Sequence, residues 1–372
     1  MPTLSKNKTS PLYGRQVAFI CAFLLPCTKL LEVPSLLARY AKGDILLPAL
    51  LHFLLQAAIL LLLLYVVFSN EKTIEERLRE KFGRGVIVFY LLYAVYFLFY
   101  AILPLLDLEK FTYAAFSDTE PSLFSFAFFF FVSAYLCSKH LRSIGRFADL
   151  CLFLFLIPFL ALLVMSFTET DFSGLLPLFG TGFGDTMYAF YYTTPHFSDV
   201  ALLLPLLIRL KPQKGDGVKI MTGYGVGAAL SLLFFAVFFG IFSTIAPREH
   251  YAFSKIAQYF PALSVVGRID LLFIYLVSVV LLVCTSLPLF YTTELLCDIF
   301  QTQRRVGVAF ALNFLIFIGV LFANRHYNFF YSLISGNLPW VFWLVADLLP
   351  LFLLFLRKPK PQKSTLKEAR NA

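Results

Sequence analysis

Charged residues are scarce in this sequence. Asp, Glu, Lys and Arg together make up 14% of its 372 residues, whereas hydrophobic residues make up 59%. Soluble domains carry about one-quarter charged residues, so this composition excludes an ordinary soluble fold. The apolar runs last about 20 residues, which is too long for barrel strands and long enough for helices that cross a bilayer. We therefore predict an all-α, polytopic membrane protein.

Cysteine motifs and catalytic signatures are also missing. The sequence has six cysteines but no CxxC pair and no histidine cluster beside them, which argues against a disulfide framework and against a zinc site. It has no nucleophile elbow and no HExxH motif, so an intramembrane enzyme with His196 and Asp199 as a catalytic pair is the weakest functional alternative. We expect no enzymatic activity, no cofactor and no metal.

Ten apolar stretches are present, and we interpret each as a membrane span. They lie near residues 15–38, 44–69, 86–106, 121–138, 147–167, 185–209, 219–245, 268–297, 304–323 and 337–356. Residues 1–372 then form a single transmembrane domain. It has a first five-helix half at 15–167, a second at 185–356 and a tail at 357–372.

Basic residues are distributed unevenly between the two sides of the predicted membrane. The formal net charge is +9, and 23 of the 31 Lys and Arg residues fall on the side of the N-terminus, against 7 on the opposite side. Cytoplasmic loops usually carry the excess of basic residues. The excess therefore indicates orientation, with both termini and the tail in the cytoplasm, rather than nucleic-acid binding.

Two of the predicted spans are interrupted in the middle. Span 1 contains Pro26 and Pro34 around the charged residues Lys29 and Glu32, and span 6 carries Pro195 in a polar segment. Proline removes an amide donor and crowds the preceding turn, so each span is expected to break there. The interruptions occupy corresponding positions in two halves of five spans each. Because five is odd, the second half crosses the membrane in the opposite orientation to the first. This pattern predicts a 5+5 inverted repeat with broken helices 1 and 6, as in many secondary transporters.

The broken helices are the expected binding site for a small solute. Amide groups at half-helix ends attract a carboxylate and free carbonyls attract a cation, which suits a zwitterionic amino acid. The expected ligand-binding residues come from both breaks and from a tyrosine stripe in span 3. They are Pro26, Cys27, Thr28, Lys29, Tyr93, Tyr96, Tyr192, Thr193, Thr194, Pro195 and His196.

Ion or proton coupling is expected of Lys29, Glu32, Thr285 and Ser286. Charged side chains in the middle of a bilayer cost about 2.5–3.5 kcal/mol and usually face a protein interior or a cavity. Lys29 and Glu32 stand three residues apart, so a pair across one helical turn is the alternative to a role in ligand or proton binding. The hydroxyls of Thr285 and Ser286 can bind a cation, although hydrogen bonds between helices are their commoner use.

Three other features have both a structural and a functional interpretation. Tyr93, Tyr96 and Tyr100 form one helical stripe, which is typical of core packing as well as of a binding surface. His196 can switch its proton near neutral pH or bond to backbone that the break frees. For Asp199 we prefer the role of a cap on the second half-helix.

The loop after span 7 is rich in aromatic residues. Tyr251, Phe253, Ile256, Tyr259 and Phe260 stand among polar residues there. This pattern is typical of a short helix over the outer mouth of a membrane protein, or equally of a plain interfacial connector.

Five short sequence motifs (the short phrases below) occur at or between the predicted spans. They are Arg15-Gln16, Gly145-Arg146, Asp171 through Leu176-Pro177, Tyr259-Phe260-Pro261 and Gly267-Arg268-Ile269-Asp270. With the ten spans and the two breaks, they resemble the spore-germination permease family, the B subunits of nutrient germinant receptors, over nearly the whole chain. The chain departs from the family at Asp270 and Tyr275, where members often have Glu and Trp.

The resemblance implies a fold and a role. The family belongs to the amino acid–polyamine–organocation superfamily, which implies the leucine-transporter-type fold. The implied role is detection of an amino acid-like nutrient in the spore inner membrane, together with a larger A subunit and a lipoprotein C subunit.

Two functions therefore compete. The first is a receptor subunit that binds a nutrient and triggers germination, and the second is a proton- or sodium-coupled amino-acid transporter. Both require the same cavity, and they differ in whether the site later opens to the other side. A purely structural protein without a ligand is a further possibility. Two interrupted helices with charged residues would be a costly way to build one, because buried charges raise the free energy of membrane insertion.

Overall fold

The computed structural model describes residues 13–69, 74–116, 123–139, 141–176, 180–210, 213–259, 269–333, 336 and 338–356. Within these ranges the chain folds into helices joined by turns. Its first half contains α1 (Gly14–Cys27), α2 (Val33–Ala41), α3 (Leu46–Phe68), α4 (Ile74–Phe82), α5 (Val86–Phe116), α6 (Leu123–Ser138) and α7 (Leu141–Ser166). Its second half contains α8 (Phe183–Thr193), α9 (Asp199–Ile208), α10 (Asp216–Phe242), α11 (Ala252–Tyr259), α12 (Ile269–Ile299), α13 (Arg305–Arg325), α14 (Tyr327–Ser332) and α15 (Pro339–Phe342). The α15 helix continues as a π-helical turn, Trp343–Leu348, and a 3-10 segment, Leu349–Leu356.

Six helices in the described ranges are long and apolar enough to cross a membrane. They are Leu46–Phe68, Val86–Phe111, Gly145–Glu169, Asp216–Arg248, Val277–Ile299 and Arg305–Arg325. Shorter apolar helices at Gly14–Cys27, Ala127–Ser138, Asp199–Ile208 and Pro339–Leu353 lie where the sequence predicts spans 1, 4, 6 and 10. The prediction of an all-α membrane protein is confirmed. The count of ten spans and the inverted repeat stay predictions.

Some of the expected features lie outside the described residues. These are the tail at 357–372 and, among the short phrases, Pro177 and the residues at 260–268.

Both predicted interruptions are present. The α1 helix ends at Cys27, and α2 begins only at Val33. The α8 helix ends at Thr193, and the 3-10 turn Thr194–His196 leads to α9, which begins at Asp199. The chain is thus non-helical at two buried places, as the prolines predict.

Glycines on α10 bring it into close contact with α1. A Cβ atom added at Gly223 would lie 2.2 Å from the carbonyl oxygen of Ala18, and one added at Gly227 would lie 2.7 Å from that of Cys21. Small residues four apart let two helix backbones approach in a membrane, where dispersion contacts replace the hydrophobic effect. This contact holds α1, and with it the first break, against α10.

The loop after span 7 contains a short helix, α11, which is the first of the two alternatives for this segment. The Ala252 amide donates to the Leu31 carbonyl at 3.0 Å, and the Phe253 amide donates to the Leu30 carbonyl at 3.0 Å. These bonds use carbonyls that the break in span 1 leaves without helical partners. The first turn of α11 is therefore attached directly to the first break.

Candidate functional site

Lys29 and Asp199 form an ion pair that joins the two helix breaks. The Lys29 Nζ atom lies 2.7 Å from Asp199 Oδ1, and both side chains are fully buried. Lys29 also donates to Thr28 Oγ1 at 3.2 Å, and its Nζ lies 5.1 Å from the centre of the Phe197 ring. A buried charge needs a partner of opposite sign, because solvation is lost in the low-dielectric interior. The pair therefore links the end of α1 to the start of α9.

Neither the Lys29–Glu32 pair, which the sequence left open as an alternative, nor the predicted cap by Asp199 is present. Lys29 does not pair with Glu32, because α1 ends at Cys27 and the residues between them are not helical, which removes the three-residue register. Asp199 does not cap α9. Ser198 holds the cap position, and its side chain does not bond to the amides of the first turn. The Asp199 carboxylate lies against Lys29 instead, because an unpaired buried ammonium costs more than an unfilled cap.

Two polar side chains on α3 hold the second break, and the sequence analysis did not identify them. His52 Nε2 lies 2.9 Å from the Phe190 carbonyl and 3.1 Å from Thr193 Oγ1, both in the last turn of α8. Gln56 Oε1 accepts from the Val200 amide at 3.1 Å, in the first turn of α9. The available signal was a pair of polar residues four apart in an otherwise apolar run, which places both on one helix face.

A cavity lies where the two breaks meet α5 and α12. Its polar lining is made of Thr28, Glu32, Tyr100, Asp107, His196 and Thr285. The volume is about 40 Å³, which is enough for about three water molecules. We call this space the break cavity. A solute larger than a few waters requires its walls to move.

Charge is unevenly distributed around the break cavity. Glu32 and Asp107 are its acidic lining residues, and His196 is the basic one among the described residues that line it. The Nε2 atom of His196 has no hydrogen-bond partner within the described part of the chain. Thr28 and Thr285 donate to the carbonyls of Leu24 and Leu281, at 3.0 Å and 2.9 Å, so toward the cavity their oxygens act as acceptors. The cavity therefore offers acceptors and negative charge.

The edge of the break cavity is closed by a second ion pair. His250, in the segment before α11, places Nδ1 2.7 Å from Glu32 Oε2. This hydrogen bond raises the pKa of His250 above its usual 6.5, because the carboxylate stabilises the charged ring. The His250 side chain is half-exposed, so solvent can exchange protons with it.

The expected site residues are divided among several places. Four of them, Thr28, Glu32, His196 and Thr285, line the break cavity. Five are buried at the helix breaks: Pro26, Cys27, Lys29, Thr194 and Pro195. Thr193 is also buried, and its hydroxyl donates to the Ala189 carbonyl at 2.8 Å. Tyr192 stacks on Tyr40 with 5.3 Å between ring centres.

The remaining three lie elsewhere. Tyr93 lines a separate cavity of about 70 Å³, which we call the tyrosine cavity because Tyr90 and Tyr291 line it too. Tyr96 is buried between Tyr93 and Tyr100 on α5. Ser286 lines a third space, a groove beside Lys139, and its hydroxyl donates to the Leu282 carbonyl at 2.6 Å. Of the three tyrosines in the stripe, Tyr100 lines the break cavity and Tyr93 lines the tyrosine cavity, and Thr285 and Ser286 line different spaces.

A network of charged residues lines one end of the tyrosine cavity. Arg209, which follows α9, contacts Glu294, Glu75 at 3.3 Å and Asp298 at 3.2 Å. Arg305 also binds Glu294, at 2.9 Å. In the predicted orientation this end of the molecule faces the cytoplasm. The network therefore ties α4, α9, α12 and α13 together on the side opposite to the break cavity.

The family model described as spore germination protein matches residues 17–328, which include both breaks, Lys29, Asp199 and the break cavity. A search of curated proteins found no match to this sequence.

Proposed function

The chain belongs to the spore germination protein family and is a transporter-like germination membrane protein, and we propose that it is the membrane subunit of a spore nutrient germinant receptor. It binds a small amino acid-like nutrient and triggers germination together with a larger A subunit and a lipoprotein C subunit. The proposal places it in the spore inner membrane with ten spans, a 5+5 inverted repeat and both termini in the cytoplasm.

The observation that carries the proposal is the break cavity. Thr28 and Glu32 reach it from the first break, and His196 reaches it from the second. Non-helical backbone in the membrane interior is tolerated where it lines a cavity, because water or a ligand satisfies the polar groups there. Two breaks that meet at one polar cavity support a binding site for a polar solute.

The lining also supports a choice of ligand chemistry. Glu32 and Asp107 favour a ligand with an ammonium group, and the hydroxyl of Tyr100 can donate to a carboxylate. An amino acid carries both groups on one carbon. We therefore expect an amine-bearing nutrient rather than a simple carboxylic acid or a sugar.

The alternative function is a proton- or sodium-coupled amino-acid transporter. The observation that favours it is the pair of closures: His250 with Glu32 at the edge of the break cavity, and Arg209 with its three carboxylates at the other end. Alternating access requires closures on both sides of a central site, and ion pairs can form and separate in such a cycle.

A thermal-shift screen of the purified full-length protein in detergent tests the binding site. A ligand that binds only the folded state stabilises it by RT ln(1 + [L]/Kd), about 2.7 kcal/mol at a concentration of 100 Kd. The panel contains the amino acids and, for each, the matching carboxylic acid without its amine. We expect a saturable rise in melting temperature for one or a few amino acids and none for their amine-free analogues.

Two threonines on α12 provide a matched pair of variants. Thr285 and Thr293 each donate to the carbonyl four residues back, at 2.9 Å and 2.8 Å, but only Thr285 lines the break cavity. We expect Thr285→Val to abolish the ligand-induced shift and Thr293→Val to keep it. Equal effects of the two variants, or no shift with any solute, would contradict a site in this cavity.

Uptake into proteoliposomes separates the two functions. A stabilising amino acid that accumulates inside vesicles under an imposed proton or sodium gradient supports the transporter. Binding without uptake under either gradient supports the receptor subunit.

A further inference from the structure

Asp347 is a buried carboxylate with no counter-charge among the residues that the structure describes. It lies in the π-helical turn Trp343–Leu348 and is 3% exposed. Its Oδ1 atom accepts from Gln56 Nε2 at 2.5 Å, whereas Oδ2 has no hydrogen-bond partner among the described residues. No Lys or Arg in the described ranges forms an ion pair with it. Because a lone charge is costly in the membrane interior, a proton is the simplest group that removes this cost.

Gln56 connects Asp347 to the second helix break. Its Oε1 accepts from the Val200 amide at 3.1 Å, so its amino group must be the one that faces Asp347. Val200 directly follows Asp199, the partner of Lys29. A change of charge at Asp347 therefore acts through one side chain on the first turn of α9.

The other groups around Asp347 do not supply a positive charge. Tyr93 and Tyr96 face it from α5, Tyr224 faces it from α10, and Asp199 faces it from α9. On α3, His52 lies one turn from Gln56 and is bonded to the end of α8. Lys29 is engaged by Asp199, so the three groups Lys29, Asp199 and Asp347 carry a net negative charge unless one carboxyl is protonated.

The tyrosine cavity lies beside the turn that carries Asp347. Tyr93 lines this cavity and donates to the carbonyl of Val345, in the same turn as Asp347, at 3.4 Å. Leu349, two residues after Asp347, lines it as well. The cavity has room for about five water molecules and extends to Arg209 and Glu294. Water in it would lie on the side that is cytoplasmic in the predicted orientation.

We propose that Asp347 is a proton-binding site linked by Gln56 to the second helix break. Its carboxyl group is protonated in the conformation described here. When the first turn of α9 moves, the O–H bond breaks, the proton passes to water in the tyrosine cavity and the carboxylate remains. The link to nutrient binding depends on the proposed function, whereas proton binding at Asp347 does not.

Infrared difference spectroscopy of the full-length protein in lipid tests this directly, without any nutrient. Spectra between about pH 6 and about pH 9 report the carbonyl band of protonated carboxylic acids. We expect a band that is lost in Asp347→Asn and retained in Asp185→Asn, a half-exposed aspartate paired with Lys42. A folded Asp347→Asn protein that retains every protonated-carboxyl band of the wild type would overturn the proposal.

If Asp347→Asn does not fold, a second variant tests whether Asp347 carries a proton. Gln56→Met removes the donor to Oδ1, so the Asp347 carbonyl band should shift to higher frequency while the other bands stay in place. No shift in Gln56→Met would overturn the proposal. Loss of the band on addition of Na⁺ at constant pH would instead assign the site to a metal cation. Because no nutrient is present, a failed nutrient screen leaves these outcomes unchanged.

Discussion

Lys29 and Asp199 stand 170 positions apart in the sequence, yet their charged atoms lie 2.7 Å apart in the protein interior. Removal of one member of a buried pair leaves the other without a partner, which typically costs about 3–5 kcal/mol. We expect Lys29→Met to lower the free energy of unfolding by that amount. Equilibrium unfolding in mixed detergent measures it.

The double variant Lys29→Met with Asp199→Leu removes both charges. We expect it to lose less stability than the sum of the two single variants, because neither charge is then left alone. Lys255→Met is the control, since Lys255 pairs with Glu249 at 3.4 Å on a half-exposed surface and should change stability by less than about 1 kcal/mol. Additive single effects would show that Lys29 and Asp199 are not coupled.

The α1–α10 contact gives a prediction with a control on the same helix. A methyl group at Gly223 would overlap the Ala18 carbonyl oxygen, whereas nothing lies within 4 Å of one at Gly225. We expect Gly223→Ala to lower stability by at least about 1–3 kcal/mol, because backbone atoms must move. Gly225→Ala should be neutral or slightly stabilising, since alanine favours helix. Similar melting temperatures for the two variants would contradict this packing.

The sequence was sufficient to predict the helical breaks but not the partners that hold them. Proline disrupts the helix that contains it, so Pro26 and Pro195 predict local interruptions. The partner of Lys29 depends on how α1 and α9 pack. No local sequence pattern indicates that packing. Local spacing offers the nearer acid, Glu32, as one possible partner, whereas the fold brings Asp199 to Lys29 and His250 to Glu32.

The same limit applies to side chains that local periodicity cannot distinguish. Thr285 and Ser286 are neighbours in sequence, and successive residues on a helix point about 100° apart, so one reaches the break cavity and the other a separate groove. In the sequence, His52 and Gln56 are isolated polar residues in an apolar run. Their role is seen only in the fold, where the end of α8 and the start of α9 pack against them.

The charged network around Arg209 should close the inner end of the molecule. Cys297 lies one residue before Asp298 and is the partly exposed cysteine, whereas the other five are buried. We expect Arg209→Gln to raise the rate of maleimide labelling at Cys297 several-fold, because Glu294 and Asp298 lose their shared cation. Peptide mass spectrometry of detergent-purified protein measures the rate at this site.

Arg79→Gln is the control for that experiment. Arg79 also binds Glu75, at 2.8 Å, but it does not contact Glu294 or Asp298 in an ion pair. Its loss should leave Cys297 labelling nearly unchanged. A rate in Arg209→Gln equal to that of the wild type would show that the network does not restrict access.

The His250–Glu32 pair should make the attachment of α11 depend on pH. The pKa of His250 is raised in the folded protein, so its contribution is complete below the unfolded value near 6.5 and is lost as pH rises through the folded pKa. We expect the amides of Ala252 and Phe253 to exchange faster at about pH 8.5 than at about pH 6, after correction for intrinsic rates.

Hydrogen exchange of the α11 peptide in two histidine variants tests the origin of this dependence. His250→Gln should abolish it, whereas His326→Gln, at an exposed position after α13, should keep it. A wild-type peptide with the same corrected protection at both pH values would contradict a role of this pair.

Protection of the break cavity by its ligand tests directly whether a nutrient binds between the two helix breaks. A cysteine introduced as Thr28→Cys lines the cavity, and native Cys297 near the inner network is an internal reference on the same molecule. If a nutrient binds between the two breaks, the amino acid that raises the melting temperature will slow alkylation at position 28 and leave Cys297 unchanged. If that amino acid stabilises the Thr28→Cys protein but leaves alkylation at position 28 as fast as before, the ligand binds elsewhere and the account is wrong.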